Sequence, residues 1–167
     1  MPLNKYTKQT KQTKYKSIDE LIIICKEAKE KGIKIAFANG GFDLLHIGHI
    51  RYLKAAKEVA DILIVALNSD KSLKKLKGEN RAIIDEQGRI KLLSALMFVD
   101  YITLFDESTV DELLLKLKPD FHCKGSDYTK ETVPERETVL SYGGQIAIVG
   151  GDKVRSTSII VEDIKNQ

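Results

Sequence analysis

The chain has 167 residues, 43% of them hydrophobic, which is the size of one domain and enough apolar material to bury a core. With 31% charged residues, 11 Gly, 3 Pro and 2 Cys, the composition excludes a collagen-like, disulfide-stapled or largely disordered protein, and the longest apolar runs, Leu21 to Cys25 and Ile62 to Leu67, fall far short of the ~20 residues that cross a bilayer. Net charge is +3, yet the first sixteen residues hold five lysines and no acid, so the remainder carries 22 cationic against 24 acidic side chains, a net of −2. A body that is not basic argues against a nucleic-acid partner, and nothing in the apolar pattern asks for a membrane.

Residues 1–16 read as a basic, disordered tail and 17–167 as a single domain. The N-terminus shows no apolar signal-peptide core, and Cys25 and Cys123 lie in apolar strings without metal-ligand spacing, so a reducing, cytoplasmic location is expected. Ser17-Ile18-Asp19-Glu20 has the spacing of a capping box and Gly32 supplies a stop, which predicts a helix from Ile18 to Lys31. A strand from Ile33 to Ala38, the turn Asn39-Gly40-Gly41 and a helix to about Val59 follow. Ile62 to Leu67 is apolar throughout, as in a central strand covered on both faces. The alternation continues with a helix over Asp85 to Met97, a strand over Tyr101 to Phe105, a helix over Thr109 to Lys118 and a strand over Asp120 to Lys124. A helix over Val133 to Tyr142, a strand over Gln145 to Val149 and a last helix over Ser156 to Lys165 complete the pattern. It predicts an α/β, Rossmann-like, doubly wound five-stranded parallel sheet with helices on both faces, whose ligands bind beyond the carboxyl ends of the strands.

The loop after the first strand, Asn39 to His49, is where chemistry concentrates. Gly40 and Gly41 let backbone N–H groups approach an anion, and the next helix offers its positive N-terminus to a phosphate. His46 and His49 are three apart, on one helical face, with Gly48 between them presenting no side chain, so two imidazoles can address one anion. The competing reading has one histidine capping the helix and the other packing in the core.

The stretch Gly-Phe-Asp-x-x-His-x-Gly-His from Gly41 to His49 resembles the signature of the cytidylyltransferase-like nucleotidyltransferase superfamily. Asn68-Ser69-Asp70, Lys77-Gly78 with Arg81, Arg89, Lys124-Gly125-Ser126-Asp127-Tyr128 and Gly143-Gly144, in that order, resemble the adenylyltransferases that form ADP-heptose from heptose 1-phosphate, an activity of carbohydrate metabolism that feeds lipopolysaccharide. The likeness runs from Ile33 to Ile164. Three departures stand out: Arg81-Ala82 where that family has Arg-Pro, Gly88 rather than Gln before Arg89, and Arg155 ahead of Ser156-Thr157-Ser158.

The resemblance implies AMP transfer from ATP, carrying Mg²⁺, to a sugar 1-phosphate with release of pyrophosphate. It assigns His46, His49 and Lys77 to catalysis, and Asn39, Gly40, Gly41, Phe42, Gly48, Arg81, Ser156, Thr157 and Ser158 to the nucleotide. Lys124, Asp127 and Tyr128 fall to the acceptor, no residue is a resident metal ligand, and the family admits a homodimer fed by a separate sugar kinase. A phosphate nucleophile is already ionised at neutral pH, so the reaction needs positioning and charge neutralisation rather than a general base. Lys71, Lys74 and Lys75, with Lys77, read as a basic loop or a solvated face; Arg89 as a ligand or a structural tie; Asp127-Tyr128 as a sugar contact or a turn; Asp43 as a Mg²⁺ partner or an internal acceptor. The alternatives for the whole chain are a cytidylyltransferase acting on glycerol 3-phosphate or another phosphorylated alcohol, and a non-catalytic nucleotide-binding module. A class I aminoacyl-tRNA synthetase shares His-x-Gly-His, but the sequence has no Lys-Met-Ser-Lys-Ser loop.

Overall fold

Alternation of buried side chains along each strand dictates the layering in the computed structural model, which describes residues 14–77 and 83–151. The tail residues 1–13, Gly78 and Arg81, and Arg155, Ser156, Thr157 and Ser158 with the expected last helix lie outside the described residues. The elements are α1 (Ile18–Glu30), β1 (Ile35–Gly40), α2 (Ile47–Glu58), β2 (Ile62–Asn68), α3 (Asp70–Lys77), α4 (Glu86–Ser94), β3 (Tyr101–Phe105), α5 (Asp111–Leu117), β4 (Phe121–Lys124), α6 (Arg136–Ser141) and β5 (Gln145–Ile148). All five strands run parallel in the order β3-β2-β1-β4-β5. Successive strands therefore step outward from β1 in one direction up to β3 and in the other from β4, which puts the topological switch between β1 and β4.

Ile35 and Phe37 of β1 and Ile64 and Ala66 of β2 turn to one face, where Leu21 and Cys25 of α1, Leu113, Leu114 and Leu117 of α5 and Val139 of α6 cover them. Ala36, Ala38, Leu63, Val65 and Leu67 turn to the other, beneath Leu53 and Ala56 of α2 and Ile90 and Leu93 of α4. Helices on both faces are what unbroken apolar strands require. The capping box forms as the spacing predicts: Glu20 N–H donates to Ser17 Oγ at 3.2 Å and Ser17 N–H to Glu20 Oε2 at 2.8 Å. No helix among the described residues is long and apolar enough to cross a membrane.

Of the two readings of the lysine run, the structure supplies the helical one: Lys71, Lys74, Lys75 and Lys77 belong to α3. Asn68-Ser69-Asp70 starts that helix: Ser69 Oγ accepts from Ser72 N–H at 3.1 Å, and Asn68 Nδ2 donates to Ser72 Oγ at 2.9 Å. Leu73 is buried on its inner side while Lys71, Lys74 and Lys75 stay in water. The tail boundary moves. Lys14 to Lys16 lie in parallel beside β3, with Lys16 N–H donating to Ile102 O and Ile102 N–H to Lys14 O, both at 2.8 Å, and Lys14 Nζ donating to Leu96 O at 2.7 Å.

Candidate active site

The turn that leaves β1 is built under strain. Phe42 and Leu44 take φ of 46° and 47°, the left-handed region that L side chains avoid. Such conformations persist only where their surroundings over-determine them, and here three groups do. The Phe42 side chain is buried against the α2 face of the sheet. Gly41 lies so close to α3 that a Cβ there would stand 2.7 Å from Leu73 Cδ2. The Asp43 carboxylate accepts from Ile83 N–H and Ile84 N–H at 3.0 Å each and from its neighbour Leu44 N–H at 3.1 Å. Of the two readings of Asp43, the internal acceptor is the one the geometry supplies. Among the described residues no group of three or more His, Cys, Asp or Glu converges to hold a metal ion.

Arg89 is a structural tie. Its side chain is wholly buried and its guanidinium spans four acceptors: Ile84 O at 3.0 Å, Gly41 O at 2.7 Å, Asn68 O at 2.8 Å and Asp70 Oδ1 at 2.6 Å. One side chain thus joins the strained turn to the end of β2, the start of α3 and the chain entering α4.

His46 is the N-cap of α2, and its Nδ1 accepts from Gly48 N–H at 3.1 Å. That bond leaves the proton of the neutral ring on Nε2, so the imidazole is a donor on its far side. Burial lowers its pKa, which favours that neutral form. His49 stacks on it with ring centroids 3.8 Å apart, and meets the Phe42 edge at 5.2 Å. The capping half of the competing reading is therefore observed, and the cap fixes His46 as an Nε2–H donor. The first turn of α2 with Gly48 and the two rings share one end of the helix, beyond the carboxyl end of β1.

On the far side of the switch, β4 ends in Lys124, followed by a turn in which Tyr128 N–H donates to Gly125 O at 3.1 Å. Asp127 is exposed on that turn, its Oδ1 2.8 Å from where a Cβ on Gly125 would be, and Tyr128 is half-buried beside Lys124. Lys124 itself does not stand open to a ligand. It is 8% exposed, pairs with Glu135 at 3.1 Å and donates to Asn39 Oδ1 at 3.1 Å. Its charge is already neutralised, contrary to the expectation that it meets the acceptor's phosphate. Glu135 and its second neighbour, the fully buried His122, are site residues that the sequence reading missed. Tyr52 was also missed; its hydroxyl donates to Cys123 O at 2.7 Å and braces α2 against β4. The structure thus brings Asn39, Gly40, Gly41, Phe42, His46, Gly48, His49, Lys124, Asp127 and Tyr128 to the strand ends flanking one switch point, with Lys77 as the last residue of α3.

The profile of the cytidylyltransferase-like family matches residues 37–162. The bifunctional protein HldE of Pelobacter propionicus is 45% identical over 152 residues, covering 91% of this chain and 31% of that protein, and HldE of Geobacter metallireducens is 46% identical over 151 residues, covering 90% and 31%. The chain thus spans about a third of the length of the curated relatives it matches. Among solved structures, the lipopolysaccharide core biosynthesis protein of Thermoplasma volcanium aligns with a TM-score of 0.60 and 32% identity over 74% of this chain and all of the other. A pantoate-beta-alanine ligase from Francisella tularensis, at 18% identity and a TM-score of 0.58 over 86% of this chain and 68% of that one, shares the fold.

Proposed function

Because the chain belongs to the cytidylyltransferase-like family, we propose that it is an adenylyltransferase that joins AMP from ATP to a sugar 1-phosphate, heptose 1-phosphate foremost, releasing pyrophosphate and an ADP-sugar. The observation that carries this reading is the stacked His46–His49 pair at the start of α2, with His46 locked as an Nε2–H donor. A phosphate oxygen of the acceptor attacks the α-phosphorus in line, the bond to the β-phosphate oxygen breaks, and negative charge grows on the departing pyrophosphate. Donors fixed in advance at that position lower the barrier without reorganising. His46, His49 and the first-turn N–H groups of α2 serve the phosphates, Lys77 neutralises the leaving group, and Asn39 to Phe42 with Gly48 form the floor. Arg81 and the hydroxyls of Ser156, Thr157 and Ser158 are the remaining nucleotide ligands in this proposal.

Mg²⁺ arrives as the counter-ion of the triphosphate and is part of the substrate. Asp127 and Tyr128 meet the ring hydroxyls of the sugar, Asp127 as acceptor and Tyr128 as donor or acceptor. The sugar 1-phosphate is the product of a separate sugar-kinase reaction, and the cytoplasm, where ATP is plentiful and Cys25 and Cys123 stay reduced, is the expected setting.

Pyrophosphate release measured across ATP, CTP and GTP, each with a panel of phosphorylated acceptors, is the test. The expected best pair is ATP with a heptose or hexose 1-phosphate. If CTP with glycerol 3-phosphate is preferred, the substrate assignment is wrong and only the family remains; no release with any pair leaves a nucleotide-binding module.

A further inference from the structure

Strand pairing forces a polar cluster into the sheet interior at the switch point. Phe37 pairs with His122 and Ala38 with Cys123, so Asn39 and Lys124, two residues on from Phe37 and His122, come out on the same face. Glu135, immediately before α6 and 6% exposed, lies over them. Its carboxylate takes Lys124 Nζ at 3.1 Å and 3.2 Å and stands 3.4 Å from His122 Nε2. Burial acts to raise its pKa, but the hydrogen bond from His122 and the charge of Lys124 outweigh that and hold it at about 2, so it is ionised and can only accept. His122 therefore carries its proton on Nε2, and its buried Nδ1 has no partner among the described residues.

The Lys124 ammonium has three N–H donors. Asn39 and Glu135 take two sides of it, and the Tyr128 ring, with its centroid 5.5 Å away, covers another. A buried ion pair of this kind is rarely the most stabilising choice for its volume, so what it holds is the informative part. It holds Asn39 Oδ1. A rotated amide would point its NH₂ group at an ammonium, which like polarity forbids, so the Asn39 amide has one allowed orientation, with both Nδ2 hydrogens directed away from Lys124. Among the described residues no hydrogen bond from Asn39 Nδ2 is formed, and Asn39 sits next to Gly40 at the mouth of the turn.

We propose that Glu135, acting through Lys124, is a positioning residue that locks the Asn39 amide with its NH₂ toward the substrates, where it donates to a phosphate oxygen. This deepens the adenylyltransferase reading and rests on it for the identity of the phosphate. A phosphate oxygen can only accept, so a residue barred from presenting its carbonyl is matched to it and mismatched to a hydroxyl donor. The phosphate belongs to ATP or to the acceptor, and the experiment separates the two.

Asn39→Ala is expected to lower kcat/KM about ten- to hundredfold, the value of a hydrogen bond to a charged group. Glu135→Gln alone leaves an uncompensated ammonium and can fail to fold. Lys124→Met with Glu135→Gln removes the pair as a unit, leaves His122 an acceptor, and is expected to fold, as a thermal melt will show. This double variant should lose as much kcat/KM as Asn39→Ala, and adding Asn39→Ala to it should cost less than about twofold more, because linked residues are not additive. Losses that multiply, or a folded double variant with wild-type kcat/KM, overturn the proposal. The second readout needs no turnover: the Asn39 side-chain amide resonance in the ¹⁵N spectrum of the full chain should move in the double variant without ligand. In the wild type it should shift on adding ATP or, if the oxygen is the acceptor's, on adding the sugar 1-phosphate. No shift with either overturns the role of Asn39. If no substrate pair releases pyrophosphate yet the resonance responds to both ATP and the double substitution, the activity reading fails and the positioning role stands.

Discussion

Replacing Arg89 by Met keeps the length and apolar bulk of the side chain and removes only its donors, so the loss reads the polar tie alone. Arg89 is fully buried, and its departure strands Gly41 O, Asn68 O and Ile84 O inside the protein and leaves Asp70 unpaired. A buried acceptor left without a partner costs about 1–3 kcal/mol, and removing one member of a buried ion pair about 3–5 kcal/mol. The Asp70 carboxylate keeps 34% of its surface in water and recovers part of its share. The expected destabilisation is thus roughly 3–5 kcal/mol, a large part of the ~5–15 kcal/mol that holds a domain together. Arg89→Lys should cost about half as much, because an ammonium can satisfy some of those acceptors but cannot fork across all of them. Asp70→Asn leaves the buried guanidinium without its counter-charge but with its three carbonyl acceptors, and should cost less than Arg89→Met, about 1–3 kcal/mol. Urea unfolding followed by circular dichroism is the assay, since the chain has no Trp to report by fluorescence. If Arg89→Met loses less than about 1 kcal/mol, or Asp70→Asn loses as much as Arg89→Met, the guanidinium is not the tie described.

Acid should weaken the fold in two stages. Burial lowers the His122 pKa against the opposing pull of Glu135, so the unfolded chain takes up a proton that the folded one refuses, and stability should fall as pH drops below about 6.5. Glu135, depressed to about 2, contributes stability that is complete above its ordinary value of 4.5 and is lost as pH falls from there toward 2. His122→Gln should flatten the first stage of a urea-midpoint profile between pH 7 and 5; an unchanged slope would assign that loss to other groups. His46→Ala and His49→Ala should each lower kcat on the order of 10²-fold or more while ATP binding, followed by calorimetry, changes far less. Equal losses in both would return the pair to a packing role. Burial pushes the Cys25 thiol up to about 11 and the Cys123 thiol up to about 12, so neither should react with a thiol reagent at pH 7.5 until the protein unfolds; rapid labelling of the native chain would contradict their burial.

The parts of the molecule that announce themselves in sequence are those whose cause is local. The Ser17 capping box, the doubly apolar β2 and the glycine turn into a histidine-bearing helix each carry their own pattern, and each lies where that pattern puts it. Helix ends were drawn too long, as at Glu86–Ser94, because Asp85 spends its carboxylate on Gly88 N–H as a cap rather than joining the helix. What stayed hidden depends on pairing across the sheet. Glu135 sits between Pro134 and Arg136 with no periodicity to mark it, and Lys124 reads as a free cation until Glu135 is laid over it. One sign was available: once β1 and β4 are neighbours, Asn39, His122 and Lys124 must share a face, and a buried lysine there needs an anion. The choice between loop and solvated helix face for α3 stays open in sequence because its lysines mask a single buried apolar position, Leu73.

The pairing of Lys14 to Lys16 with β3 matters most for what would happen without it. β3 is the last strand on its side of the sheet, and an uncovered parallel border of N–H and C=O groups is a template on which a second molecule can extend the sheet. Among the described residues, Lys14 to Lys16 use up the donor and acceptor of Ile102 on that border. Cutting the chain after residue 13 and cutting it after residue 16 are therefore different operations. The first leaves the border sealed, and the second opens it.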